Sequence, residues 1–252
     1  MWSNTRMVVL TAICAALYAA ILIPFKVVPL IPGITEFRPA NAVPVVCSFL
    51  FGPAAAWGSA LGNLIGDFFG GLGPGDFFGF WANFLYGAVP YLVWEAVTHA
   101  EPVPRSMAGW VGLVLVIALA ATLCATVVGW GLQALGFHPF HVLGTLVLMN
   151  NLVVAIVLAP FLLAVLYPRI RHARLLYRDL LGSRPTLPAW RAALGVTFVV
   201  AGTTAAFAAG ELIASGRWLA PWAPWRTATG ALEVGLGLVP LIGLAVAGLA
   251  LL

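Results

Sequence analysis

The chain carries very little charge for its length. Only 8% of its 252 residues are Asp, Glu, Lys or Arg, whereas an ordinary soluble domain has about a quarter, and 62% of the residues are hydrophobic. The 12 basic and 8 acidic residues give a formal net charge of +4, which is too little basic charge for a nucleic-acid surface. This composition excludes a soluble globular domain and a nucleic-acid-binding protein, and it indicates a protein embedded in a lipid bilayer.

Cysteines and common catalytic motifs are scarce as well. Cys14, Cys47 and Cys124 each lie in an apolar run, which is typical of small buried residues and not of a disulfide framework or a zinc cluster. The sequence has no Gly-x-x-x-x-Gly-Lys-Ser/Thr phosphate loop, so it cannot hydrolyse ATP through that motif. His138 and His141 lack a neighbouring acid or cysteine, which favours loop roles over a metal site. We therefore expect no metal, no cofactor and no enzymatic activity.

Charge-free stretches predict the membrane spans. A bilayer core of about 30 Å needs about 20 apolar residues per helix. The run from Met7 to Phe25 meets that length, and it is longer than the apolar part of a secretory signal peptide. The further predicted segments are 40–52, 55–71, 77–97, two within 106–168, 192–214 and 230–252. The segment at 40–52 is short for a full crossing.

Arginines indicate the orientation of these segments. Residues 168–191 hold six arginines against one acid, and positive charge of this density marks the cytoplasmic side of a membrane. With six segments before this stretch and two after it, both termini are expected to be cytoplasmic. A specific lipid or partner site is the alternative role for the arginines. The predicted organisation is a membrane domain at 1–170, a basic linker at 171–191 and a transmembrane hairpin at 192–252.

Small residues recur every four positions in the first segment. Ala12, Ala16 and Ala20 form a flat stripe that another helix backbone can approach closely. The stripe predicts a docking face, and packing inside the protein's own bundle is the alternative.

The third segment has the same four-residue spacing in glycine. The recurring glycines are Gly58, Gly62, Gly66 and Gly70. Asn63 and Asp67 lie one turn apart on this segment, and an acid at membrane depth is costly enough to be a functional candidate. We predict a tightly packed helix, with Asp67 either as a ligand-binding group or as a structural partner.

Four of these features together resemble the substrate-specific (S) component of energy-coupling factor (ECF) transporters. They are the alanine stripe, the polar loop at 31–39, the Leu50-Phe51-Gly52-Pro53 turn and the Gly62-x-x-x-Gly66-Asp67 helix. The resemblance covers about residues 5–170. It implies an all-α polytopic membrane protein with a six-helix bundle, to which this chain adds a C-terminal two-helix hairpin. It also implies capture of a vitamin or related micronutrient at the outer face of a prokaryotic plasma membrane.

The resemblance also implies partners. Ala12, Ala16 and Ala20 would face the transmembrane coupling subunit of the transporter, and two cytoplasmic ATPase subunits would supply the energy for uptake.

Polar residues near the outer face are the candidates for substrate binding. Glu36 and Arg38 could close over a solute, although pairing with each other in water is the favoured interpretation. Asn41 is the better ligand candidate on this loop. Trp81, Asn83 and Tyr86 would suit a flat heteroaromatic vitamin, with lipid-facing or packing roles as the alternative.

Two adjacent amides interrupt the sixth segment. Asn150 and Asn151 point in directions about 100° apart, so at least one should face the bundle interior. The complete set of predicted substrate-binding residues is Glu36, Arg38, Asn41, Asn63, Asp67, Trp81, Asn83, Tyr86, Asn150 and Asn151.

Two other functions compete with the S-component hypothesis. A proton-coupled secondary transporter of a small solute would use Asp67, Glu211 and Glu233 as its titrating acids. An intramembrane enzyme is less well supported, because the sequence from Gly58 to Gly62 is not a Gly-x-Ser-x-Gly motif.

Overall fold

The computed structural model describes residues 1–26, 28–31, 35–36, 38–98, 100–182 and 187–252. The helices are α1 (Thr5–Phe25), α2 (Ala42–Phe51), α3 (Pro53–Phe68), α4 (Gly75–Val97), α5 (Met107–Ala134), α6 (Phe140–His172), α7 (Tyr177–Leu181), α8 (Ala189–Ala214), α9 (Ala231–Gly237) and α10 (Val239–Leu251). The first loop adds a short antiparallel pair, β1 (Pro29–Ile31) and β2 (Thr35–Glu36), and a 3-10 turn at Pro39–Asn41. The all-α polytopic class is confirmed.

Five of the eight predicted segments correspond to helices with the length and hydropathy of a membrane span. Within the described chain, α1, α5, α6, α8 and the arm formed by α9 and α10 are long and apolar enough to cross a bilayer. The other three are α3, with 16 residues, α4, with 23 residues, and α2. The 10 residues of α2 extend only about 15 Å, half of the hydrocarbon core. As a result, α2 begins in the middle of the bundle.

The bundle has two chemically different ends. At one end, which we call the loop-1 end, Lys26 at the end of α1 meets Asp67 at the end of α3. At the other, which we call the basic end, the α4–α5 loop, the end of α6 and α7 bring together arginines. These are Arg105, Arg169, Arg171, Arg174 and Arg178.

Glycines allow α3 to lie directly against α1. A Cβ atom built on Gly58 would lie 2.4 Å from Cys14 Cβ, and one on Gly62 would lie 2.7 Å from the carbonyl oxygen of Ala15. No side chain larger than hydrogen fits at these two positions without moving α1. The sequence spacing of four therefore corresponds to close helix packing.

A sharp turn and a short helix close the basic end. Gly52 has a φ of 52°, which an L side chain adopts only with strain, and its Cα faces the ring of Tyr177. The Tyr177 hydroxyl donates to Glu95 Oε1 at 2.6 Å, and Arg178 Nε donates to the same oxygen at 3.0 Å. The side chain of Asn4 donates to the carbonyl of Leu180 at 3.0 Å. These bonds hold α7 across the ends of α1, α2 and α4.

The C-terminal hairpin packs against the six-helix bundle. Its arms, α8 and α10, touch so closely that a Cβ on Gly202 would lie 2.5 Å from the amide nitrogen of Ala245. The Phe207 ring of α8 lies 5.6 Å from the Phe140 ring of α6, and Trp130 of α5 donates to the Gly235 carbonyl at 2.8 Å. The hairpin is therefore fixed to α5 and α6 near the loop-1 end.

The second arm of the hairpin is interrupted between α9 and α10. Pro240 stands in the first turn of α10, where a proline cannot donate the hydrogen bond that would continue α9. The first arm, α8, begins at Ala189, three residues before the predicted segment 192–214, and ends with it at Ala214.

Candidate functional site

Three predicted asparagines and one tyrosine form a hydrogen-bonded set inside the bundle. The Tyr18 hydroxyl lies 3.1 Å from Asn41 Oδ1 and 3.1 Å from Asn83 Oδ1. Asn41 Nδ2 donates to Asn151 Oδ1 at 2.6 Å. All four side chains are buried. We call this set the amide cluster.

Four different elements carry the amide cluster to one depth. From the helix ends nearest the loop-1 end, Tyr18, Asn83 and Asn151 lie about 10, 12 and 16 Å along α1, α4 and α6, taking 1.5 Å per residue. Asn41 reaches the same level because it immediately precedes α2, the short helix that starts inside the bundle. The cluster therefore lies well below the surface of the loop-1 end.

The single proton of the Tyr18 hydroxyl faces two amide oxygens of the cluster. A tyrosine hydroxyl carries a single proton, so Tyr18 can donate to Asn41 Oδ1 or to Asn83 Oδ1 but not to both. The Asn83 amide cannot donate to its own oxygen, and its Nδ2 donates to the Gly79 carbonyl at 2.9 Å. One amide oxygen therefore lacks a full hydrogen bond from Tyr18, and a bound molecule with an N–H or O–H group could satisfy it.

A second polar group lies next to the amide cluster. Lys26 Nζ pairs with Asp67 Oδ1 at 3.0 Å, and Asn63 Nδ2 donates to Asp67 Oδ2 at 2.6 Å. Asn63 Oδ1 is buried and has no hydrogen-bond partner within the described residues. A Cβ on Gly79 would lie 3.2 Å from Asn63 Nδ2, and the Gly79 carbonyl accepts from Asn83, so the two groups adjoin.

The structure places the other predicted residues as follows. Tyr86 is fully buried, and its hydroxyl donates to the backbone carbonyl of Asn151 at 3.3 Å. This bond holds α4 and α6 together beside the amide cluster. Asn150 is buried on the same helix. Trp81 is 41% exposed and contacts the Phe84 ring at 5.8 Å, so it faces away from the amide cluster.

The first loop contributes less to the described site. Arg38 is partly exposed and immediately precedes the 3-10 turn that carries Asn41. Glu36 belongs to β2, and its side chain lies outside the described part of the chain.

Two residues of the site escaped the sequence analysis. Tyr18 lies between Ala15 and Ala19 in α1, where the repeated alanines dominate the pattern, although a tyrosine in an apolar span needs a partner for its hydroxyl. Lys26 is the sole lysine of the chain. Its position at the end of a predicted span was a usable signal, because a lysine at membrane depth needs an acidic partner.

The alanine stripe lies on the surface. The three alanines of the stripe, Ala12, Ala16 and Ala20, are exposed. The neighbouring Ala15 and Ala19 are buried, and the backbone of Ala15 lies against glycines of α3. The exposed stripe stays uncovered with the hairpin in place.

The acids proposed for proton coupling have local partners. Glu211 accepts from the Thr145 hydroxyl at 3.0 Å, and Glu233 accepts from the Thr227 hydroxyl at 2.6 Å. In the described parts of the chain, no group of three His, Cys, Asp or Glu residues is placed to hold a metal ion.

An apolar helical bundle that encloses a small polar cluster defines the class as a polytopic membrane protein. Residues 8–168 match the QueT transporter family, so the chain belongs to that family. This family consists of S components of ECF transporters, which confirms the resemblance found in the sequence. No curated protein and no solved structure matches the chain.

Proposed function

We propose that this protein is the S component of an ECF-type importer that captures a queuosine precursor for uptake by partner subunits. The loop-1 end would face outwards and the basic end the cytoplasm, in keeping with the excess of arginine on cytoplasmic sides. Both termini would then be cytoplasmic.

Three buried amide oxygens carry the proposal for the substrate. Asn63 Oδ1 has no partner in the described chain, and Asn41 Oδ1 and Asn83 Oδ1 share one proton of Tyr18. A solute that presents several N–H groups would pair with these oxygens, and a buried acceptor left without a donor costs about 1–3 kcal/mol. A flat, donor-rich heterocycle, the class to which queuosine precursors belong, fits this requirement.

Binding would exchange hydrogen bonds within the cluster for bonds to the solute. The 2.6 Å bond between Asn41 and Asn151 links α2 to α6, and the Tyr18 bonds link α1 to α2 and α4. A solute among these side chains would therefore connect the same helices through its own polar edge. The apolar surroundings would add affinity by burying its ring faces.

The alanine stripe would serve as the docking surface for the transmembrane coupling subunit, with two ATPase subunits supplying the energy. The exposure of Ala12, Ala16 and Ala20 supports this assignment, because small exposed residues on a membrane helix let a partner helix approach closely. The hairpin packs on α5 and α6 and leaves the stripe accessible. It would therefore not prevent assembly.

Equilibrium binding of purified protein to a panel of vitamins and queuosine precursors tests the substrate. We expect tight binding of a queuosine precursor without ATP. Tyr18→Phe removes the hydroxyl that organises the cluster and should weaken binding about 3- to 10-fold, the value of one neutral hydrogen bond. Tyr167→Phe at the basic end is the matched control and should bind as wild type. Folded protein that binds no member of the panel, or equal loss in both variants, would contradict the proposal.

Uptake measurements test the docking surface separately. Ala16→Trp should abolish uptake in cells that contain the partner subunits and leave solute binding intact, because Ala16 lies on the exposed stripe. Ala164→Trp places the same bulk at an exposed position of α6 and should leave uptake unchanged. Loss of solute binding in Ala16→Trp would assign the stripe to the bundle itself. Uptake driven by a pH gradient in vesicles that hold this protein alone would favour a secondary transporter.

A further inference from the structure

A large apolar groove separates the hairpin from the bundle at the basic end. Its volume is about 910 Å³, and it is bounded by α4, the α4–α5 loop, α5 and α8. Along α5 it extends from Ser106 to Thr122, which corresponds to about 24 Å at 1.5 Å per residue. Val196, Val200 and Thr204 of α8 line one side of the groove, and residues of α4 and α5 line the other.

The lining of the groove is almost entirely apolar. Leu115 and Leu119 of α5 face Val196 and Val200 of α8, and Leu115 is 63% exposed. In a membrane, the space between these apolar side chains would be filled by an apolar group. A length of about 24 Å exceeds the thickness of one leaflet of the hydrocarbon core, about 15 Å, so the groove can hold an acyl chain along its length.

A basic pocket adjoins the open end of the groove. Its volume is about 490 Å³, and it shares Glu101 and Arg105 with the groove. Arg171 and Arg174 complete its positive lining. Glu101 is paired with both Arg105 and Arg171, so three arginines face a single carboxylate and two positive charges remain uncompensated. This charge suits a phosphate group.

We propose that the groove and the basic pocket together bind one anionic phospholipid of the surrounding bilayer. An acyl chain would lie between α5 and α8, and the headgroup phosphate would contact Arg105, Arg171 and Arg174. Basic pockets between transmembrane helices are the usual sites for anionic headgroups. The lipid would fill the gap beside the hairpin and so stabilise its position on the bundle.

The charge of the basic pocket favours a lipid over a partner helix. A helix would leave the basic pocket without an anion. A phospholipid matches both parts, because its polar and apolar regions follow each other in the same order as the pocket and the groove.

Competition between two lipids with identical acyl chains tests the proposal. Native mass spectrometry of the full-length protein, equilibrated with equal amounts of phosphatidylglycerol and phosphatidylcholine, should show one retained phosphatidylglycerol per chain. The double variant Arg105→Gln with Arg174→Gly should lose about 30-fold in retention of phosphatidylglycerol, since each arginine near the headgroups contributes about 1 kcal/mol. Arg174 has a φ of 54°, so glycine is sterically favoured there and misfolding does not explain the loss.

Two further variants separate charge from shape. Arg169→Gln removes an exposed arginine of α6 that lies outside the pocket lining, and it should change retention by less than about 2-fold. Gly112→Phe places a ring in the groove, where a Cβ has only ordinary contacts with Trp94, and it should reduce retention of both lipids. Equal retention of the two lipids by wild type, or equal losses in Arg169→Gln and the double variant, would overturn the proposal. Cross-links across the groove between two copies of the chain would do the same.

Discussion

Replacing Gly58 with alanine tests the packing of α1 on α3, on which the position of Tyr18 depends. The new Cβ would lie 2.4 Å from Cys14 Cβ and 2.9 Å from the carbonyl oxygen of Thr11. Neither atom can rotate away, because one is bonded directly to the α1 backbone and the other belongs to it. A normal carbon–carbon contact is about 3.5–4.0 Å, so α1 must move by about 1 Å.

The expected cost follows from two opposing effects. Overpacking of this kind destabilises a protein by about 1–3 kcal/mol, and the short contacts put Gly58→Ala at the upper end of that range. Alanine in a helix recovers up to about 1 kcal/mol relative to glycine. The net loss is about 2 kcal/mol, which lowers the Tm of a chain of this size by about 4–8 °C. The shift of α1 also lengthens the Tyr18 hydrogen bonds, so solute binding should weaken.

Thermal unfolding in detergent and solute binding measure the two effects together. Gly243→Ala is the control, because Gly243 lies in α10 and a Cβ there meets nothing within 4 Å. Its Tm should equal that of wild type or exceed it slightly. A Gly58→Ala variant as stable as wild type, in an experiment where Gly243→Ala behaves as expected, would refute the direct contact between α1 and α3.

Two further predictions concern ion pairs at the two ends of the bundle. Asp67→Asn leaves the Lys26 ammonium without the carboxylate 3.0 Å away, and it should lower the free energy of unfolding by about 2–4 kcal/mol, much of which a second change, Lys26→Met, should restore. No recovery in the double variant would mean that the Lys26 charge is not the cause. Glu95→Gln removes the charged acceptor for Tyr177 and Arg178, so backbone amides of α7 should exchange faster with solvent while the overall Tm changes little. Unchanged exchange in α7 would show that other contacts hold this helix.

Much of the membrane architecture follows from the sequence, because hydropathy and helix packing motifs are local. The predicted segment at 77–97 agrees with α4 at Gly75–Val97 within two residues at either end. The four-residue spacing of glycine predicted the close packing that Gly58 and Gly62 make with α1. Such patterns are readable because 20 apolar residues or a row of small ones have few alternative structures in a bilayer.

The site was only partly predictable for the opposite reason. The sequence identified Asn41, Asn83 and Asn151 as polar residues in apolar segments, and each needed a partner. It could not indicate which partners they have, since Asn41 and Asn151 are 110 positions apart and meet through the packing of α2 on α6. Tyr18 was missed because its role depends on two side chains from other elements, Asn41 and Asn83.

The sequence alone determined that this chain is a polytopic membrane protein, where its spans lie and which family it resembles. Only the tertiary structure decided which polar side chains face each other. Trp81 and Asn83 are two positions apart, and the helical period places them about 200° apart around α4, yet the period does not say which of them faces the interior. The helices packed around α4 decide that question, and they bury Asn83 while Trp81 stays exposed.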